Sequence, residues 1–268
     1  MYKEFAADRK NEMEIYTKLH HLIKPFSKVI SVWDSSPQAI LMNDLKSTLK
    51  EDIRYQSEKD KRTLIKKVLR RLAVLHSTSF SETAIDLPNY QITSQWHEWC
   101  SDQLIRLCSR NHWANSNWIK VIDYAYDQLD LTNYKQSSPQ VLTHEDPHFE
   151  NIFYRDEWVW FIDWEWAAIA SPLRDITILC QDLYDIGLIQ FVRESYQEIL
   201  KNNKLHIPSV DYLRDFNYLY IHHTTMMLAW EIEKYFQGHT TEEQVQVMIN
   251  FKIREIKRIT NETLIFYH

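Results

Sequence analysis

The chain has 268 residues, 44% hydrophobic and 25% charged, a balance that suits one large folded domain or two small ones rather than a disordered segment. Its two glycines, Gly187 and Gly238, exclude a Gly-x-Gly-x-x-Gly dinucleotide loop, a Walker A loop and a Gly-x-Ser-x-Gly nucleophile elbow. A net charge of −6 with scattered basic residues argues against nucleic acid as a partner, three cysteines without Cys-x-x-Cys spacing suit a reducing, cytoplasmic setting, and no apolar run is long enough for a membrane.

In chain order, Asn11 to Leu22 reads as a helix stopped by Pro25, with Met13, Tyr16, Leu19 and Ile23 in its stripe. Val29 to Trp33 and Ala39 to Met42 form a hairpin around Asp34-Ser35-Ser36-Pro37. From Leu45 the pattern turns helical. Lys61 to His76 sets Ile65, Val68, Leu69, Leu72 and Leu75 opposite a basic face of Arg62, Lys66, Lys67, Arg70 and Arg71, expected to be solvated. Residues 94 to 131 give two helices, with Cys100 and Cys108 sharing a core face. Gln140-Val141-Leu142 and Trp158 to Ile162 read as buried strands, with Trp158, Trp160 and Trp166 as packing residues. After Pro172 the chain is helical to a final amphipathic helix carrying Val245, Met248, Ile249, Ile253 and Ile256.

Chemistry concentrates in Thr143-His144-Glu145-Asp146-Pro147-His148-Phe149-Glu150-Asn151, followed by Ile162-Asp163-Trp164-Glu165. So many polar groups between buried strands need partners or solvent. His144-Glu145-x-x-His148 spells a zinc-hydrolase pattern with Glu165 as a third ligand, but Pro147 opposes the helix that would bring both imidazoles to one face. His144-x-Asp146-x-x-x-x-Asn151, with Asp163 a hairpin later, is instead the spacing of kinase-type phosphoryl transfer: one carboxylate to accept a hydroxyl proton and two oxygen donors for Mg²⁺.

On these residues the chain resembles the aminoglycoside phosphotransferase and choline kinase-like family. His144 to Asn151 echoes the family's His-Gly-Asp-Leu-His-Pro-Gly-Asn, and Ile162-Asp163-Trp164-Glu165 with Ser171-Pro172-Leu173-Arg174-Asp175 echoes its second motif. The resemblance implies an α+β, protein-kinase-like two-lobed fold, with a small β-containing lobe at 1–44 and a large, mainly helical lobe at 45–268. It implies ATP- and Mg²⁺-dependent phosphorylation of a small molecule's hydroxyl, with Asp146 as base, Asn151 and Asp163 as metal ligands, and His144, His148 and Asp175 supporting the loop.

Lys3 and Glu12 match the family's phosphate-orienting ion pair, although the residues alone also read as a surface pair. Ile40 to Leu45 matches the adenine hinge, with Met42, Asn43 and Leu45 as contacts, and Leu72 to His76 matches a Leu-Ala-x-Leu-His helix. By residue type alone, His76 and the pair His222-His223 read as helix-packing or surface histidines. Trp230 and Glu231 offer an aromatic face beside acids that suits a cationic acceptor, or simply a helix with one buried Trp and an acidic outer face.

The sequence departs from the family at Glu145 and Glu150, which stand where glycines are usual. The two strands and phosphate-covering turn expected before Lys3 have only Met1 and Tyr2 in their place. The small lobe is therefore expected to be an incomplete sheet, open at the edge beside residues 2–6, with weak ATP affinity. A kinase-like binding protein without turnover is the alternative reading, and a zinc hydrolase the third.

Overall fold

The computed structural model describes residues 1–5, 10–78, 87–203 and 205–267. They pack into two compact units, Met1–Tyr90 with Pro139–Ile207, and Gln91–Ser138 with Pro208–His268. The lobe boundary expected at residue 44 falls inside the first of these.

The first unit opens with an antiparallel sheet in the order β1–β3–β2, from β1 (Tyr2–Glu4), β2 (Val29–Trp33) and β3 (Ala39–Met42). The central strand buries Ala39, Ile40 and Met42, and Lys3 pairs with Ile40. The strand expected over 2–6 ends at Glu4, and residue 6 lies outside the described residues. The helix expected over 11–22 is two pieces, α1 (Lys10–Lys18) and α2 (His20–Ile23). Between them Leu19, at φ −102° and ψ 8°, leaves helical geometry, yet Met13, Tyr16, Leu19 and Ile23 stay buried.

Helix α3 (Leu49–Ile53) carries a Thr48–Glu51 capping box. Helix α4 (Glu58–His76) starts earlier than its apolar stripe because the Ser57 hydroxyl accepts the Asp60 N–H. Its basic face is not simply solvated. The Lys67 ammonium sits 4.3 Å from the Tyr154 ring, and the Arg71 guanidinium 4.4 Å from Phe26 and 5.4 Å from Trp158. The long side chains cover the hairpin of β5 (Ile152–Arg155) and β6 (Trp158–Phe161). That hairpin turns through Asp156 (φ 53°) and Glu157 (φ 64°), a two-residue left-handed turn without glycine.

Strand β4 (Val141–Thr143) pairs antiparallel with β7 (Ala168–Ala170), one residue later than expected for β4. Ile169 also exchanges backbone bonds with Pro88 and Tyr90, which lays that segment along β7. Helix α7 (Pro172–Leu179) is fully buried, with Ser171 as its cap and Pro172 in its first turn, and α8 (Ile186–Asn202) packs on α4.

The second unit consists of α5 (Gln95–Arg110), α6 (Asn117–Leu129), α9 (Ser209–Phe236) and α10 (Glu242–Tyr267). Cys100 is core, whereas Cys108 is only half-buried. In α10, Val245, Ile249, Ile253 and Ile256 are buried as expected and Met248 is half-buried. Helix α9 is covered on more than one face, burying Tyr212, Phe216, Leu219, Ile221, Leu228 and Ile232 with the polar Asp215. Asp215 accepts the N–H groups of Ser137 and Ser138 and the hydroxyl of Tyr134, so its buried charge has partners.

Candidate active site

The polar segment between β4 and β5 is a loop, held from beneath by the first turn of α7. Asp175 is fully buried. Its Oδ2 accepts the His144 N–H at 2.9 Å and the His76 Nε2–H at 2.9 Å, and its Oδ1 accepts the Glu145 N–H at 2.8 Å. Burial works to raise its pKa, but the bond from His76 and the nearby His144 outweigh this and hold it below the ordinary value. His76 also receives the Tyr196 hydroxyl at Nδ1, so the residue expected to be a bland packing histidine anchors this brace.

His144 is buried, and burial lowers its pKa. Its Nδ1 accepts the Asp146 N–H at 3.2 Å and its Nε2 donates to Ile162 O at 2.9 Å, while the ring lies 4.5 Å from that of Trp164. One imidazole thus ties the Asp146 loop to the residue preceding Asp163. Asn151 does the same through its backbone, its C=O accepting the Ile162 N–H at 3.1 Å. Its amide nitrogen donates to Asp146 Oδ2 at 2.9 Å and Asp146 O at 3.0 Å. His148 Nε2 is 3.5 Å from Asp146 Oδ2.

Asp163 has a left-handed φ of 64°. Its Oδ1 is 3.1 Å from the Lys3 ammonium, which also pairs with Glu12. Lys3, Glu12 and Asp163 therefore meet across 160 residues of sequence. Burial pushes the Glu12 carboxyl up to about 7 against the pull of Lys3, and its Oε1 has no protein partner among the described residues. In the segment expected to serve as the hinge, the Met42 N–H bonds Met1 O and the Asn43 N–H bonds Lys28 O, so the sheet takes both donors. A cleft of about 290 Å³ beside it is lined by Lys28, Asn43, Asp44, Leu45, Arg155 and Asp156.

The two unusual glutamates are both neutralised. Glu150 is exposed and pairs with Lys50 at 2.6 Å, while Glu145 is buried against Arg174 at 3.0 Å. Burial pushes the Glu145 carboxyl up to about 7, with Arg174 pulling it down.

The donors fit a hard cation rather than zinc. Asn151 spends its nitrogen on Asp146, which leaves its carbonyl oxygen, like the Asp163 carboxylate, as a hard donor of the kind that suits Mg²⁺. The zinc pattern fails, because both ring nitrogens of His144 are engaged, Nδ1 of His148 accepts the Glu150 N–H, and no helix aligns them. No group of three His, Cys, Asp or Glu poised for a metal occurs among the described residues.

Trp230 and Glu231 lie in the second unit. Trp230 packs edge-on to Trp99 at 5.1 Å, and Glu231 is buried 3.7 Å from Lys234. Trp166, expected as packing, is 60% exposed. His222 and His223 are buried in the helical unit. Among the described residues no helix is long and apolar enough to cross a membrane.

Comparison with known proteins gives a consistent picture. A choline/ethanolamine kinase family protein of Mesorhizobium loti superimposes with a TM-score of 0.61 at 14% identity, over 94% of this chain and 78% of its own. Choline kinase of Streptococcus pneumoniae gives 0.60 at 16% identity, over 96% and 85%. A spectinomycin phosphotransferase solved with ADP and spectinomycin gives 0.60 at 16%, over 98% and 85%. No functionally curated protein matches the sequence. These likenesses show the protein-kinase-like α+β fold, and the profile of the Phosphotransferase enzyme family matches residues 3–202. The chain belongs to that phosphotransferase family.

Proposed function

We propose that the chain transfers the terminal phosphoryl group of ATP to a hydroxyl of a small molecule, choline-, aminoglycoside- or sugar-like. The observation that supports it most is the meeting of Asp146, Asn151, Asp163, Lys3 and Glu12 in one unit, from positions spread between residues 3 and 163.

Asp146 is the general base: its partly exposed carboxylate, oriented by the Asn151 amide, takes the acceptor's hydroxyl proton as the oxygen attacks. Asn151 Oδ1 and the Asp163 carboxylate would hold Mg²⁺, which supplies charge neutralisation at the phosphates when bound. Lys3, fixed by Glu12, orients those phosphates, and Met42, Asn43 and Leu45 border the nucleotide base. Since the sheet uses the N–H groups of Met42 and Asn43, polar contact with the base falls to the backbone beyond them. Trp230, partly exposed on the second unit, enters the reading as an aromatic face for a cationic acceptor, while Glu231 is buried and paired with Lys234. With a loose transition state, positioning and charge placement carry most of the rate.

The test is an ADP-release assay with Mg²⁺-ATP against choline, ethanolamine, aminoglycosides and sugars. Acceptor-dependent ADP release supports the reading. Mg²⁺-dependent ATP binding with no turnover on any acceptor class would leave a kinase-like binding protein instead.

A further inference from the structure

Glu145 stands immediately before the proposed base, in backbone geometry that L-residues rarely adopt, at φ 65°. Glycine is the ordinary occupant of such a position. Here a charged side chain occupies it and is almost fully enclosed. Its Oε2 receives Arg174 Nε at 3.0 Å, and its Oε1 receives the Thr143 hydroxyl at 3.0 Å. The Arg174 guanidinium lies 4.2 Å from the Tyr90 ring, and Tyr90 is in turn bonded to Ile169 of β7.

Two consecutive residues of α7 thus grip the loop just before Asp146. Asp175 holds the backbone N–H groups of His144 and Glu145, and Arg174 holds the Glu145 side chain. The Asp146 N–H is itself bonded within the loop, to His144. The chain entering Asp146 is therefore tethered by the first turn of α7, alongside the His144 bond to Ile162 O and the Thr143 bond to Ala168 O of β7.

We propose that Glu145 is a positioning residue, whose buried ion pair with Arg174 sets the placement of Asp146. The inference rests on the phosphotransferase reading, since Asp146 is the base only there. A guanidinium–carboxylate contact is directional, and a misplacement near 1 Å at the reacting group costs about 10²-fold in rate. The mere presence of a side chain at φ 65° explains neither the burial of its charge nor the stacking of its partner.

The test compares wild type, E145Q, E145G and E145Q/R174Q by kcat and KM for Mg²⁺-ATP, with hydrogen–deuterium exchange of residues 143–149. We expect E145Q and E145G to lose about tenfold or more in kcat while KM for ATP stays within about threefold. Exchange at 144–146 should quicken about tenfold in both. The double variant, in which no guanidinium faces the neutral amide at position 145, should regain about threefold of the rate lost in E145Q. If E145Q does not fold, E145G/R174Q serves in its place, since it has neither a guanidinium facing a missing carboxylate nor a side chain at φ 65°, and should show the same kcat loss.

Wild-type kcat and unchanged exchange in E145G would overturn the proposal, as would a loss confined to KM. If wild type phosphorylates no acceptor, the functional reading fails by itself. Exchange then decides the placement role alone: quickened exchange in E145G supports it and unchanged exchange overturns it.

Discussion

Asp146 and Asp163 carry different halves of the proposed chemistry, so their variants should fail differently. In Asp146→Asn the amide is isosteric but accepts no proton, and kcat should drop about 10²–10⁴-fold with ATP affinity retained. Steady-state kinetics and nucleotide titration together check this, and a mutant at near wild-type rate would remove Asp146 from the role of base. Asp163→Ala instead removes a hard oxygen donor and leaves Lys3 paired with Glu12 alone. The Mg²⁺ concentration needed for half-maximal ATP binding should rise about tenfold or more, read by a magnesium titration at fixed ATP. An unchanged titration would take Asp163 out of the metal site. His148 gives a pH signature. Burial disfavours its charged ring, but the bond to Asp146, with Asp182 and Glu150 nearby, outweighs burial and raises its pKa above 6.5. A raised folded-state pKa means the stabilisation is fully present below pH 6.5 and fades as pH rises through the folded value. Melting curves from pH 5.5 to 8.5 should show wild type losing stability relative to His148→Gln across that window. A constant difference would mean that His148 does not bind its proton more tightly in the fold.

At the scale of elements, the sequence was most readable where one period ran undisturbed. The stripe of α4 and the β2–β3 hairpin lie where periodicity and turn residues put them, because burial of one face decides both. The break at Leu19 was hidden, since the apolar spacing continues through it and only the backbone departs. Three-residue β7 was too short to show a period, and its partners Val141–Thr143 and Pro88–Tyr90 are remote in sequence. Asp146, Asn151 and Asp163 stood out in the sequence as candidates, because the proposed chemistry requires those residue types at that spacing. What neighbours do to them was not: His76 looked like packing, and nothing in the sequence ties Arg174 to Glu145. His76 ends α4, where it joins that helix to α7 through Asp175 and to α8 through Tyr196. His76→Phe keeps the ring's bulk but leaves one oxygen of a buried carboxylate short of a donor. It should cost about 2–3 kcal/mol in urea unfolding, and a change below about 0.5 kcal/mol would mean the bond from His76 adds little to the brace.

Across the whole molecule, the chain visits each compact unit twice, so neither is a continuous stretch. The family match ends at residue 202, beyond every proposed residue of the loop, the metal site and the Lys3–Glu12 pair. A fragment of residues 1–207 would therefore hold all of these. It would also hold α5 and α6 without α9 and α10, the helices against which they chiefly pack. Leu104, Leu107, Ile122 and Leu129 are buried on α5 and α6. At roughly 2 kcal/mol for each such side chain, the burial at risk approaches the whole net stability of a typical domain. The fragment should accordingly expose a contiguous apolar surface, bind anilinonaphthalene sulfonate strongly and aggregate at concentrations where the full chain is monodisperse. Dye fluorescence and light scattering on the two proteins side by side measure this. A fragment that melts cooperatively, without dye binding, would show that α5 and α6 find cover without the last two helices.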